Sequence, residues 1–138
     1  MQGLADGYFV LPYTIGDYLA NDIRTGEIST DLPEFEQAEK EVRANLEKLI
    51  NIKGTKSVDH FHKALGKIMW DKVGMARNAT GLKEAIEEIR VLRDAFWKDV
   101  RVPGKMNEMN PELEKAARVA DFMELGELMA IDALNREE

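Results

Sequence analysis

The sequence contains no cysteine. This absence excludes disulfides, thiolate catalysis and zinc or iron–sulfur sites held by cysteine, and it is compatible with a reducing compartment. The chain also lacks any apolar run close to the roughly 20 residues that span a bilayer. Its longest apolar stretch, residues 8–11 followed by residues 13–15, is interrupted by Pro12. The sequence therefore predicts no direct insertion into a membrane.

Positive charge is scarce and dispersed. The chain has 19 Lys and Arg residues against 26 Asp and Glu residues, which gives a net charge of −7, and no basic cluster stands out along the sequence. Nucleic acids are bound by faces rich in Lys and Arg. We therefore predict no nucleic-acid partner.

Glycine-rich phosphate loops are also missing. The ten glycines are scattered, and neither the G-x-G-x-x-G spacing nor the Walker pattern occurs. Those spacings let the backbone approach a pyrophosphate closely. The sequence thus predicts no nucleotide-binding element and no cofactor-binding residue in this chain.

What the sequence does contain is helical periodicity. Apolar residues recur at intervals of three and four, whereas no segment shows convincing strand alternation or a hairpin dipeptide. We predict an all-α fold, with an up-down three-helix bundle that is spectrin-repeat-like. Its helices are predicted at 57–77, 80–99 and 110–136, and an extra helix at 33–53 is predicted to pack alongside them.

Residue types at the predicted helix ends support these boundaries. Ser57 suits an N-cap, Asn110 precedes Pro111, and acidic residues follow Pro33, where they complement the helix dipole. Gly54 predicts the end of the extra helix. The predicted core stripes are Val58, Phe61, Leu65, Ile68, Met69 and Val73; Leu82, Ile86, Ile89, Leu92 and Phe96; and Leu113, Ala116, Ala117, Ala120, Met123, Leu128 and Ile131.

The first 32 residues differ from the rest. Pro12 predicts either a break or the first turn of a second short helix, and residues 24–32 are turn-rich and read as a linker. The segment before the linker carries three tyrosines and Phe9 but is too short to fold alone. We predict two parts, an arm with its linker at 1–32 and a helical domain at 33–138. Residues 1–23 are expected either to be frayed or to be buried in a self-association contact, because an exposed apolar arm favours dimerisation.

Both ends of the chain bear on its organisation. No cap or polar lead precedes the first apolar residues, and the helix predicted to start at Asn110 is still running at Glu138. These features predict a segment of a longer polypeptide.

The two histidines were considered as metal ligands. His60 and His62 are two residues apart, so on a helix they lie on nearly opposite sides. Asp59 and His62 could share a metal, but a di-iron bundle needs Glu-x-x-His motifs from two helices. The favoured interpretation is a capping acid beside a solvated or hydrogen-bonded histidine. We predict no metal-ligating residue.

The carboxylates are plentiful but lie mostly opposite the apolar stripes. We interpret them as a solvated face and predict no catalytic residue, because a catalytic acid pair needs a cleft and shifted pKa values. The carboxylates in question are Glu34, Glu36, Glu39, Glu41, Glu84, Glu87, Glu88, Glu124 and Glu127.

Aromatic and sulfur-containing residues are interpreted as core or interdomain packing residues rather than a pocket. The set comprises Trp70, Trp97, Met69, Met106, Met109, Met123 and Met129. Trp97 lies one position off its helix's main stripe, so it is a candidate for a contact outside the bundle. Gly74 predicts close approach by another element, and Arg77 either complements a helix C-terminus or forms an interdomain ion pair.

Three stretches resemble one family in sequence order. Residues 69–78 (MWDKVGMARN) followed by Gly81 and Leu82 resemble the helical C-terminal domain of succinate dehydrogenase and fumarate reductase flavoprotein subunits. Residues 129–138 (MAIDALNREE) look like the last bundle helix of that family, and the chain stops before the family's Ser-Arg-Gly-x-His motif. Residues 1–9 (MQGLADGYF) are similar to the helix that follows the family's flavin-contacting segment. The resemblance covers essentially the whole chain.

The resemblance implies a supporting role. It implies that residues 1–32 are the tail of a flavin-binding domain plus a linker, and that FAD belongs to the parent subunit rather than to this chain. In that family the parent moves a hydride between the flavin and a four-carbon dicarboxylate, and electrons pass to an iron–sulfur subunit and on to quinone. The implied partners are the flavin-binding and capping domains and the iron–sulfur subunit, in a complex at the inner face of a bacterial plasma membrane.

Two alternatives stay open. Aspartate oxidase shares the architecture, although its helical domain resembles residues 69–77 less. A stand-alone acidic helical bundle that serves as an adaptor or assembly module is the alternative from another functional class. The resemblance implies that the chain alone is inactive.

Overall fold

The computed structural model describes residues 1–22 and 26–136. This part of the chain is mostly helical, which confirms the predicted all-α class. It divides into two compact units, Met1–Glu36 and Gln37–Glu138. Residues 23–25 of the arm and linker, and residues 137–138, which carry the edge of the family's C-terminal motif, lie outside the described residues.

The described residues of the first unit form a helical arm without a core. It contains α1 (Gln2–Ala5), a π-helical stretch (Asp6–Val10) and α2 (Leu11–Leu19), and none of their residues is buried. Pro12 lies in the first turn of α2, as one of the two predicted alternatives required. The exposed apolar side chains of these elements are Leu4, Tyr8, Phe9, Val10, Leu11, Tyr13, Ile15, Tyr18 and Leu19.

Helix α3 (Pro33–Asn51) begins where Pro33 and the acids of its first turn predicted it. The predicted packing of this helix beside the bundle is confirmed for its C-terminal part. Val42 is 60% exposed, whereas Leu49 is 2% exposed and lies in the main core. Within the second unit, α3 is therefore anchored through its last two turns.

The predicted three-helix bundle consists of α4 (Val58–Lys72), α5 (Ala79–Asp99) and α6 (Pro111–Asn135). Helix α5 packs against both of the other helices, and α4 also packs against α6. Each helix starts with a side-chain cap: Ser57 Oγ accepts from the His60 amide, Asn78 Oδ1 from the Gly81 amide, and Asn110 Oδ1 from the Leu113 amide. These bonds satisfy amide groups that have no partner within the helix.

The core follows the predicted stripes of α4 and α5 closely. Phe61 and Phe96 meet edge to face, with ring centroids 5.3 Å apart. On α6 the stripe is shifted, because Leu128 is exposed and Val119, Gly126, Ala130 and Ala133 are buried instead. The small residues in the second half of α6 let α4 and α5 approach it, and Met69 and Leu65 lie next to Gly126.

Two short strands were not predicted. Residues Lys56–Ser57 (β1) pair in parallel with Val100–Arg101 (β2), with Lys56 opposite Val100 and Ser57 opposite Arg101. An isolated antiparallel bridge also joins Lys53 to Arg101. Strands of two residues are too short to show an alternating pattern, so sequence periodicity could not reveal them. They tie the start of α4 to the end of α5.

Candidate functional site

The candidate metal ligands Asp59, His60 and His62 make other contacts in the structure. Asp59 Oδ1 accepts a hydrogen bond of 2.8 Å from Lys115 Nζ on α6, and this bond lowers the pKa of Asp59 below its ordinary value. The His62 ring lies 6.1 Å from the Phe122 ring, and His60 meets Phe61 edge to face. Among residues 1–22 and 26–136, no group of three His, Asp or Glu side chains could hold a metal ion.

A cleft of about 400 Å³ opens beside His62, between α4 and the first half of α6. Its cationic side chains are already paired: Lys115 also bonds Glu112 at 2.7 Å, and Arg118 contacts Glu114. These bonds raise the pKa of Lys115, with Asp59 as the largest cause. The cationic side chains that line this cleft are therefore neutralised by carboxylates of the same chain.

A second cleft, of about 420 Å³, lies where α3 meets α5 and α6. Val42, Leu46 and Leu49 line it from α3, and Trp97 and Ala120 lie opposite. Trp97 makes its predicted contact outside the three-helix bundle here, because Lys48 Nζ of α3 lies 4.3 Å from the centre of its ring. The cleft is mainly a packing seam between helices.

The interpretation of the carboxylates as a solvated face was wrong for Glu127. Its side chain is 12% exposed and accepts hydrogen bonds of 2.7 Å from Arg90 and 2.6 Å from Arg93, both on α5. These bonds, led by that from Arg90, lower the pKa of Glu127. The partners are 34 to 37 residues apart in sequence, so no local pattern marks them.

Two further carboxylates of the predicted solvated face also pair between helices. Lys72 Nζ at the end of α4 donates to Glu88 at 2.7 Å and to Glu84 at 2.9 Å. The bond to Glu88 is the largest of the causes that raise the pKa of Lys72. Ion pairs thus hold α5 to α4 on one side and to α6 on the other.

The packing interpretation holds for part of the aromatic and methionine set. Met123 is fully buried, and Met69 and Met106 pack against the core. Trp70 is 85% exposed, and Met109 and Met129 are also exposed, so these three residues do not pack in the core of the second unit. Their side chains belong to the surface of the second unit.

Gly74 and Arg77 form a local stop to α4. The helix ends at Lys72, five residues earlier than predicted, and a Cβ at Gly74 would lie 2.7 Å from the Trp70 carbonyl oxygen. The close approach predicted at Gly74 therefore comes from its own helix. Arg77 Nε donates to the Gly74 carbonyl at 2.9 Å, so Arg77 fixes the turn.

Residues 62–138 match a family described as the fumarate reductase flavoprotein C-terminal family. The chain belongs to this family. It is 31% identical over 124 residues to the fumarate reductase flavoprotein subunits of two Helicobacter pylori strains, an alignment that covers 90% of this chain and 17% of each relative. It is also 31% identical over 101 residues to an uncharacterized FAD-dependent oxidoreductase of Methanocaldococcus jannaschii, covering 73% of this chain and 18% of the relative. The chain thus spans less than a fifth of the length of these relatives.

The described residues do not fit FAD. A dinucleotide is held by glycines at a tight turn that leads into an open helix N-terminus. Among the described residues, Gly104 is the one glycine with a positive φ, and it abuts the side chain of Asn110. The first turns of α4, α5 and α6 already have the side-chain caps described above. We therefore assign no flavin chemistry to these residues.

None of the helices in the described part of the chain is long and apolar enough to cross a membrane.

Proposed function

We propose that this chain is the helical domain of a flavoprotein subunit that interconverts succinate and fumarate with FAD, and that its task is structural. The family match at residues 62–138 covers most of the α4–α6 core, and this coincidence is the observation that carries the proposal. Charged side chains of that region pair between helices, Lys72 with Glu84 and Glu127 with Arg90 and Arg93. A domain of this kind supports the geometry of a neighbouring site, which catalytic preorganisation requires.

The proposal extends to the partners. The arm at 1–32 is the tail of the flavin-binding domain, and the helical domain at 33–138 packs against the flavin-binding and capping domains of the same subunit. The exposed apolar side chains of α2 support this role, because a surface of this kind in water marks a contact with another protein surface. The subunit passes electrons to an iron–sulfur subunit, peripheral to the inner face of a bacterial plasma membrane.

The isolated 138-residue chain is accordingly expected to be inactive. The test has two parts: titration of the purified chain with FAD, followed by flavin fluorescence, and a dye-reduction assay of the complete subunit with succinate and with L-aspartate. We expect no saturable FAD binding by the chain, and succinate-dependent reduction by the complete subunit. Micromolar FAD binding by the chain alone would contradict the structural role.

The same assays separate the alternatives. A complete subunit that oxidises L-aspartate but not succinate would identify an aspartate oxidase. An immunoblot of the source cells that shows only the 138-residue chain, with no larger species, would favour a stand-alone adaptor.

A further inference from the structure

Two short segments of the chain carry more positive than negative charge. Residues 48–57 contain Lys48, Lys53 and Lys56 and no acid, and residues 97–105 contain three cations and one acid. Together they carry a net charge of about +5, whereas the whole chain carries −7. The sequence shows no contiguous basic cluster because the two segments are separated by a long helical stretch.

The tertiary structure brings the two segments together. The β1–β2 pair places Lys56 opposite Val100, and the isolated bridge places Lys53 opposite Arg101. The Gly54 amide donates to the Val100 carbonyl at 3.2 Å, which fixes this register. The bridge therefore brings the exposed Lys53 and Arg101 together, and the exposed Lys56 and Lys98 lie three residues from them in sequence; these four residues are called the basic patch.

Several cations in and next to the patch have partners within the chain. Lys48 stacks on Trp97, and Lys105 Nζ lies 3.4 Å from Glu108. Lys56 Nζ lies 3.9 Å from Asp99, whose carboxylate is already bonded by the Thr55 amide and hydroxyl. Among the ion pairs of residues 1–22 and 26–136, none involves Lys53, Lys98 or Arg101.

The bridge between Lys53 and Arg101 opposes a general rule of strand pairing. Directly opposite side chains have Cβ atoms about 5 Å apart, and like charges at such positions are destabilising. Elsewhere in this domain, Lys72 and Lys115, two cations that lie between helices, have two carboxylate partners each. Two like charges that lie opposite each other, with no carboxylate of the described residues to neutralise them, are typical of a functional position.

We propose that this basic patch binds an acidic segment of a partner protein, with carboxylates bridging Lys53 and Arg101. The guanidinium fork of Arg101 suits bidentate contact with a carboxylate, and the Lys53 ammonium supplies a second charge. The patch is confined to one end of the bundle. A patch of this size suits a short segment with a few carboxylates. A long polyanion such as a nucleic acid would meet the net negative charge of the rest of the chain.

The test measures binding of a fluorescently labelled octaglutamate peptide to the 138-residue chain by anisotropy, at low and at physiological salt. We expect saturable binding that weakens as salt rises. The double variant Lys53→Glu/Arg101→Glu should weaken binding at least tenfold. Lys83→Glu, which makes the same kind of charge change at an exposed lysine of α5, should change it less than twofold.

A second variant distinguishes weaker peptide binding from a loss of the folded state. Lys53→Glu alone places opposite charges across the bridge, so it should raise the thermal midpoint of unfolding while it weakens peptide binding. A lowered midpoint would overturn the assignment of an uncompensated cation pair. Absence of peptide binding by the wild-type chain, or equal losses in the Lys83→Glu control, would overturn the docking site. Tighter binding of an oligonucleotide of equal charge, lost in the double variant, would replace the acidic protein with a nucleic acid.

Discussion

Gly54 lies directly against the backbone of Asp99, so that a Cβ at position 54 would fall 2.0 Å from the carbonyl carbon and oxygen of that residue. Real Cβ atoms do not approach other atoms so closely, and the obstacle is backbone rather than a flexible side chain. The Asp99 carboxylate meanwhile accepts hydrogen bonds from the Thr55 amide at 2.7 Å and from the Thr55 hydroxyl at 2.9 Å. The short sheet is thus fixed by backbone contact on one side and by a carboxylate on the other.

Gly54→Ala is expected to destabilise the chain by about 3 kcal/mol, because β1 and β2 must separate to admit the methyl group. The matched control is Gly66→Ala in α4, where nothing lies within 4 Å of an added Cβ. That substitution should stabilise the chain by up to about 1 kcal/mol, through helix propensity alone. Urea unfolding of both variants measures the two effects, and equal effects would contradict the contact with Asp99.

The Glu127 ion pair predicts a pH dependence. The pKa of Glu127 is lowered in the folded state, so its stabilising contribution is fully present above its ordinary value of 4.5 and is lost as pH falls through the lowered pKa. Glu127→Gln should therefore lower the free energy of unfolding by roughly 2 kcal/mol at pH 7, because the substitution removes hydrogen bonds to a charged group. The difference from wild type should shrink at pH 3.

The measurement for Glu127 is urea unfolding of both proteins at the two pH values. Glu124→Gln is the control, because Glu124 is exposed on the same helix. It should leave stability unchanged at both pH values. A Glu127→Gln deficit that grows on acidification would refute the sign of the argument.

The core depends on the contact between Phe61 and Phe96, both of which are fully buried. Phe96→Ala should destabilise the chain by roughly 3 to 5 kcal/mol, since it removes a buried ring and leaves a cavity. Trp70→Ala removes a larger side chain from an exposed position on α4 and should cost less than about 0.5 kcal/mol. Thermal unfolding followed by circular dichroism compares them. Similar losses would show that Trp70 packs in solution.

The arm is expected to associate without stabilising the domain. None of the residues of α1 or α2 is buried, so removal of residues 1–32 should leave the midpoint of thermal unfolding unchanged. The same removal should abolish self-association of the chain, because the exposed apolar side chains of the arm are lost with it. Light scattering of both forms tests this expectation. A shortened chain that still forms the same oligomers would place the self-contact on the helical domain.

Much of the architecture could be read from the sequence. The repeats of Val58, Phe61 and Leu65 and of Leu82, Ile86 and Ile89 at helical spacing determined which faces of α4 and α5 are buried, since burial of apolar surface drives packing. Ser57 and Asn110 marked the starts of α4 and α6 because their side chains cap amides within the next turn. These are local relationships, which a linear pattern records.

What only the tertiary structure decided were the relationships between distant residues. Glu127 bonds Arg90 and Arg93 because α6 packs against α5. Lys53 lies opposite Arg101 because a backbone bridge joins them. The exposure of Leu128 has the same origin, since the face that α6 buries drifts along its length as small residues replace large ones. The sequence by itself determined the helices and most of their buried faces. Three-dimensional packing determined which charges are neutralised within the fold and which, such as those of Lys53 and Arg101, face outward.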